Sequence, residues 1–319
     1  MSSAERSTAD VNAPMGFSVR TRLLIVAPHP DDETIANGLL IQQVRAAGGE
    51  VGIVLLTDGD NNPWPQRWME RRLRIDAGGR QRWGARRLAE LRQAMQRLGL
   101  PAAALQQLHW PDLGATSRLL SAPQASVAAL TAAITAFRPD IVVAPALGDR
   151  HPDHGAAHVL IRLALAQLSS APTLLTYMVH GSERATPVLH MEGSPAEQAA
   201  KRFALSAHRS QLVLGGGRMR RLSDRAERFF AVSGQCAAPG GGLPWRPPAV
   251  LHPWLRLSLV DAAGARTWRW REAPLRRDEA GAYRLSPRHG EPAISPRFAH
   301  LSLAVPSPWI FDHWGWCEL

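Results

Sequence analysis

Two short apolar runs, each ending in a turn of histidines and carboxylates, constrain this chain more than any other feature. Leu23-Leu24-Ile25-Val26 leads into Ala27-Pro28-His29-Pro30-Asp31-Asp32-Glu33, and a helix-like stretch begins near Thr34. Ile141-Val142-Val143-Ala144 precedes His151-Pro152-Asp153-His154, with another helix-like stretch behind it. Unbroken apolar strands that alternate with helices predict a mostly parallel sheet covered on both faces. Ligands of such sheets bind beyond the carboxyl ends of the strands, where both turns fall. Two clusters meeting there could supply two imidazoles and a carboxylate to one zinc ion. Three protein ligands plus a water make a catalytic zinc site.

The rest of the pattern supports the same fold class. Further strands are predicted at 51–56, 105–110 and 174–179, with helices at 34–47, 85–98, 124–137 and 155–168. A last helix has Ser194 to cap it, Pro195 in its first turn and Glu197 to complete a capping box, and is expected to run through Lys201 and His208 to about Leu212. Right-handed crossovers then give an α/β fold, a Rossmann-like three-layer α/β/α sandwich. The connection 60–84 carries Trp64, Trp68 and Trp83. It reads either as a lid over the site or as a surface loop anchored by packed indoles.

After about Val232 the pattern changes. Gly240-Gly241-Gly242, Pro244, Pro247 and Pro248 suggest a loop, and 254–260 with 266–270 suggest a hairpin around Gly264. Three segments are expected: a disordered leader at 1–15, a domain at 16–235, and a β-rich C-terminal extension at 236–319 packed on that domain. Seven of the 11 tryptophans lie from Trp245 onward. They either fill the core of the extension or stack on sugar rings.

Composition narrows the function classes. The net charge is +10, yet Lys201 is the only lysine. An arginine bias of this kind is expected as background of a GC-rich genome, with an anionic substrate or membrane surface as the other reading. No nucleic-acid-binding motif is present. No apolar run approaches the roughly 20 residues of a membrane helix. Residues 1–14 lack the apolar core of a secretory signal. Cys236 and Cys317 form no CxxC pair and read as reduced thiols of a cytoplasmic protein.

The histidine followed by Pro30-Asp31-Asp32-Glu33, with His151-Pro152-Asp153-His154 downstream, resembles the LmbE-like, or PIG-L, superfamily of zinc-dependent N-deacetylases. The resemblance covers roughly residues 20–232. Thr57-Asp58-Gly59, Arg87-Leu88-Ala89-Glu90, Trp110-Pro111-Asp112, Arg138-Pro139-Asp140, Lys201 and His208-Arg209-Ser210-Gln211 follow in the family's order.

The resemblance implies that His29, Asp32 and His154 bind one zinc ion per chain. Asp31 is then left as general base, and His151 stabilises the oxyanion as an imidazolium held by Asp153. Arg87 and Asp112 are implied as substrate contacts, with Arg150 on a wall where members differ. Glu33 is expected to cap its helix, and Asp58 and His208 to be structural or to support the ligands. The expected activity is removal of the N-acetyl group from an N-acetylglucosamine-type sugar or glycoconjugate. Two alternatives stay open: an amidase acting on a thiol conjugate or a longer N-acyl group, and a non-catalytic carbohydrate-binding protein. Homo-oligomers are compatible with the fold.

Overall fold

The computed structural model describes residues 16–183, 185–232, 242–279, 281–286, 296–304 and 313–319. The expected leader and the expected boundary near residue 236 lie outside the described residues.

A seven-stranded sheet forms the centre, in the order β3-β2-β1-β4-β5-β7-β6. Its strands are β1 (Arg22–Ala27), β2 (Glu50–Thr57), β3 (Leu105–Trp110), β4 (Ile141–Pro145), β5 (Thr173–Tyr177), β6 (Leu189–Met191) and β7 (Glu227–Ala231). The first five run parallel, and β7 and β6 add an antiparallel edge. The helices are α1 (Asp32–Ala46), α2 (Pro63–Glu70), α3 (Ala77–Arg97), α4 (Ala115–Ser121), α5 (Pro123–Phe137), α6 (Pro152–Leu165), α7 (Pro195–Leu205) and α8 (Arg209–Ser223).

Alternation within β1 explains the layers. Leu23, Ile25 and Ala27 pack with α1, α3 and α7 residues such as Leu39, Leu91 and Leu205. Leu24 and Val26 point the other way, onto Leu119, Leu130 and Leu160 of α4, α5 and α6. Both faces are covered, so the strand is apolar throughout. This is the expected Rossmann-like three-layer sandwich.

Three details differ from the sequence reading. The connection 60–84 holds α2 and the first turns of α3. The capping box at Ser194 is present, but the helix it starts ends at Leu205 and α8 follows after a break. The break lets His208 turn inward, where it is fully buried. The strand β7 had no distinct sequence signal. Its Glu227 is buried and accepts from Lys201 Nζ at 2.6 Å and from the Leu39 and Leu40 amides at 2.8 and 3.0 Å.

The C-terminal part is antiparallel. Strands β8 (Leu255–Asp261), β9 (Gly264–Arg269), β12 (Phe298–Leu303) and β13 (Trp316–Glu318) form one sheet, and β10 (Leu275–Arg277) pairs with β11 (Tyr283–Leu285). The expected hairpin is β8–β9. Trp245 and Trp270 lie in its own core, and Trp316, Phe298 and Val260 join the core beneath α4, α5 and α6. These indoles therefore fill core positions.

Candidate metal centre

The chain reverses direction in the sheet between β1 and β4, and the crevice at such a switch point is the natural ligand site. The turn after β1 carries His29 to Glu33, and the turn after β4 carries Asp149 to His154. Both line or border a cavity of about 200 Å³ whose walls include His29, Asp31, Asp32, Arg87, Asp112 and His151. A larger groove of about 910 Å³ lies along α3 and the start of α8, and no histidine lines it.

The first turn is tightly held. Pro28 O accepts from Thr57 N at 3.0 Å and from Thr57 Oγ1 at 2.8 Å, tying it to the end of β2. Asp31 has φ 130°, a strained value for a residue with a Cβ. Its amide donates to Glu33 Oε2 at 2.8 Å. Glu33 Oε1 accepts from Thr34 Oγ1 at 2.5 Å and lies 3.0 Å from His208 Nε2. Glu33 thus holds the strained peptide through its side chain, and His208 holds Glu33. Arg87 completes the frame. It donates to Pro30 O at 2.8 Å and Gly59 O at 2.9 Å and reaches Asp31 Oδ2 at 3.3 Å. A Cβ on Gly59 would lie 2.0 Å from Arg87 Nη1, so only glycine fits there.

Three ligand-type atoms converge between the turns. Asp32 Oδ2 lies 3.4 Å from His29 Nδ1 and 3.3 Å from His154 Nε2. His154 is fully buried, and neither of its ring nitrogens has a hydrogen-bond partner despite these close carboxylates. Asp32 Oδ2 placed between the two rings suits a carboxylate that shares one cation with them. Each imidazole also has a carboxylate behind it. Asp149 Oδ2 lies 3.2 Å from His154 Nδ1, and Asp112 and Asp153 each lie 3.2 Å from His29 Nε2. Metal-binding histidines are commonly oriented in this way. Two imidazoles and a carboxylate match the donor preference of zinc. One ring nitrogen each of His29, His151 and His154 lie within 4.8 Å of one another, as do one donor atom each of His29, Asp112 and Asp153.

The electrostatics follow from crowding. Burial would lower His29, but Asp112, Asp153 and Asp32 outweigh it and lift the ring well above its usual value. Burial likewise opposes protonation of His154, yet Asp149 and Asp32 bring it up to about 10. This negative field is one that a divalent cation would neutralise. Burial pushes the Asp31 carboxyl up to about 6, against the pull of Arg87. Burial, and then the His29 and His154 charges, push His151 far below its usual value.

One expectation changes, and four further residues are placed. Asp153 does not hold a protonated His151. Its carboxylate accepts from Leu113 N at 2.8 Å and Ala115 N at 3.0 Å and faces His29, while its own amide donates to His151 Nδ1 at 3.3 Å. An accepting Nδ1 leaves the proton of a neutral ring on Nε2. Asp112 stands behind His29 and also accepts from Asn61 N at 3.1 Å. Arg87 holds the turn after β1 and also lines the cavity. Arg150 is exposed and is not among the residues lining the cavity. Asp58 pairs with the exposed His109 at 3.0 Å, outside that lining.

Sequence reasoning missed Asp149 and His180. Asp149 accepts from the amides of His151, Val179 and His180 at 2.8 to 3.0 Å. A carboxylate two residues before a helix-starting histidine was the available signal. His180 lines the cavity from the loop after β5, with its ring centroid 5.3 Å from that of His154. Nothing local marks it.

Residues 24–165 match the family model described as PIG-L, GlcNAc-PI de-N-acetylase. A 1D-myo-inositol 2-acetamido-2-deoxy-alpha-D-glucopyranoside deacetylase of Mycobacteroides abscessus is 33% identical over 161 residues, 46% of this chain and 56% of the relative. That of Mycolicibacterium smegmatis is 35% identical over 162 residues, 47% of this chain and 55% of the relative. The chain thus spans about half the length of the curated relatives it matches. A conserved protein of Thermus thermophilus superposes with TM-score 0.50 at 28% identity, over 72% of this chain and 100% of that one. The N,N'-diacetylchitobiose deacetylase of Pyrococcus horikoshii gives TM-score 0.52 at 21% identity, over 66% and 83%, a likeness of fold. The sequence match over residues 24–165 and the likeness to the two mycobacterial deacetylases support the LmbE-like, or PIG-L, superfamily for the α/β part of this chain.

Proposed function

We propose that this protein is a zinc-dependent hydrolase that removes the N-acetyl group from an N-acetylglucosamine-type sugar or glycoconjugate, releasing acetate and a free amine. The observation that carries this reading is the meeting of Asp32 Oδ2 with His29 Nδ1 and His154 Nε2 at the switch point, in a cavity that Asp31 also lines. The names of the mycobacterial relatives supply the substrate class.

His29, Asp32 and His154 would hold one zinc ion per chain. Bound there, the metal supplies a Lewis acid for the amide carbonyl and acidifies water. The residues divide the remaining tasks. Asp31, with Arg87 3.3 Å away, takes a proton from the attacking water and delivers it to the departing nitrogen. His151 donates from Nε2 to the developing oxyanion. Asp149 and the Asp112–Asp153 pair orient the two imidazoles. Glu33 keeps the Asp31 peptide in its strained conformation, so the carboxylate is placed before substrate arrives.

The decisive experiment measures acetate released from a panel of N-acetylated sugar conjugates, with and without a chelator. Release that a chelator stops and added zinc restores is expected. No release from any conjugate by metal-loaded protein would overturn the proposal. Elemental analysis of purified His154→Ala should show loss of the metal, and retention would refute the ligand set.

A further inference from the structure

The tryptophans of the connection 60–84 do not share one environment. Trp83 is fully buried, whereas Trp64 and Trp68 are 66% and 67% exposed and Leu73 is 87% exposed. Trp64 and Trp68 stand four residues apart on α2, so they share one helix face. The opposite face is fixed inward. Pro65 and Gln66 are buried, and Gln66 Nε2 donates to Gly79 O at 2.7 Å. Arg67 ties the outer surface together, with its guanidinium 5.0 Å from the Trp64 ring centroid and its Nε donating to Leu73 O at 3.0 Å. Arg71, Arg72 and Arg74 are all exposed around Leu73.

We propose that this patch docks the protein on an anionic membrane surface. Three large apolar groups project outward and are flanked by arginines. Indoles prefer the boundary between headgroups and acyl chains, and arginines beside them meet acidic headgroups. Leu73 favours a bilayer over a nucleic acid, because an aliphatic side chain offers bases no stacking face. The attachment is peripheral. Among the described residues no single helix is long and apolar enough to cross a membrane. Asn61 and Asn62, which lead into α2, line the candidate cavity, so the patch adjoins that cavity in the chain.

The test is cosedimentation of the full chain with vesicles of neutral phosphatidylcholine and with vesicles containing phosphatidylglycerol, at low and high salt. It needs no enzymatic activity, so its failure is separate from failure of the hydrolase reading. Binding to the acidic vesicles alone, weakened by salt, is expected. Replacing Arg71, Arg72 and Arg74 together by Gln should weaken it about 100-fold, at roughly a factor of five per charge. Trp64→Ala with Trp68→Ala should remove the blue shift of tryptophan emission on binding. Circular dichroism matching the parent shows that these exposed substitutions leave the fold intact. Absence of vesicle binding overturns the proposal. So does vesicle binding that survives both variants, or a patch whose substitution abolishes only self-association or binding to single-stranded DNA.

Discussion

Helix α6 presents two unlike faces, and their difference separates what makes this molecule stable from what the proposed reaction uses. Its first turn sends His151, Asp153 and His154 into the cluster of imidazoles and carboxylates beyond β1 and β4. Its other side meets the C-terminal sheet. Trp316 packs so closely on Gly155 that a Cβ there would lie 2.8 Å from the indole, and Arg162 grips Glu318 through two bonds of 2.8 and 2.6 Å. On the first face, buried charges oppose one another, and the adjoining turn holds Asp31 in a strained conformation. On the second, apolar burial and one two-pronged ion pair dominate. Substitutions on the first face should therefore cost turnover, and on the second stability.

The largest effect tests the reactive face. Asp31→Asn should lower turnover by about 10² to 10⁴-fold, the range for losing a general base, with little change in melting temperature. A variant within tenfold of the parent would break the comparison. Trp316→Ala should cost about 3–5 kcal/mol of stability by denaturant unfolding, as for other large aromatic truncations. The folded fraction should keep its rate of acetate release, and a stable but inactive variant would mean the two faces are not separable.

Glu33→Gln sharpens the boundary between them, because Glu33 is both buried and one step from Asp31. It replaces one accepting oxygen with an amide donor that faces other donors, and should cost about 1–3 kcal/mol together with slower turnover. If only one of the two quantities changes, Glu33 belongs wholly to one side. The smallest effect is in pH. Burial opposes protonation of His208, but Glu33 outweighs it and raises the ring above its usual value. The stability it contributes is complete below about pH 6.5 and is lost as pH rises through the raised value. The stability difference between the parent and His208→Gln should therefore narrow from pH 6 to pH 9. A difference that widens would reverse the assignment.

Much of the frame was legible because local rules govern it. The apolar runs of β1 and β4 are covered on both sides and read directly as strands, and Ser194 and Glu197 read as a helix start. What escaped depends on distant partners. Lys201 and Glu227 gave no sign that one would cross the core to meet the other, or that Glu227 would cap amides inside α1. The helix expected to continue past Leu205 breaks, and His208 beyond the break meets Glu33, 175 residues away in sequence. The exposed indoles of α2 and the buried Trp83 are alike as letters, and only the packing of Pro65 and Gln66 tells them apart.

From the chain alone came the alternating strands and helices, the two polar turns at strand ends, and the chemical types gathered in them. These follow from periodicity and turn chemistry, which act over a few residues. Only the tertiary structure decided which carboxylate stands behind which imidazole: Asp149 behind His154, Asp112 and Asp153 behind His29. Such pairing depends on the relative height of turns carried by different strands, set by sheet register and helix packing across more than a hundred residues.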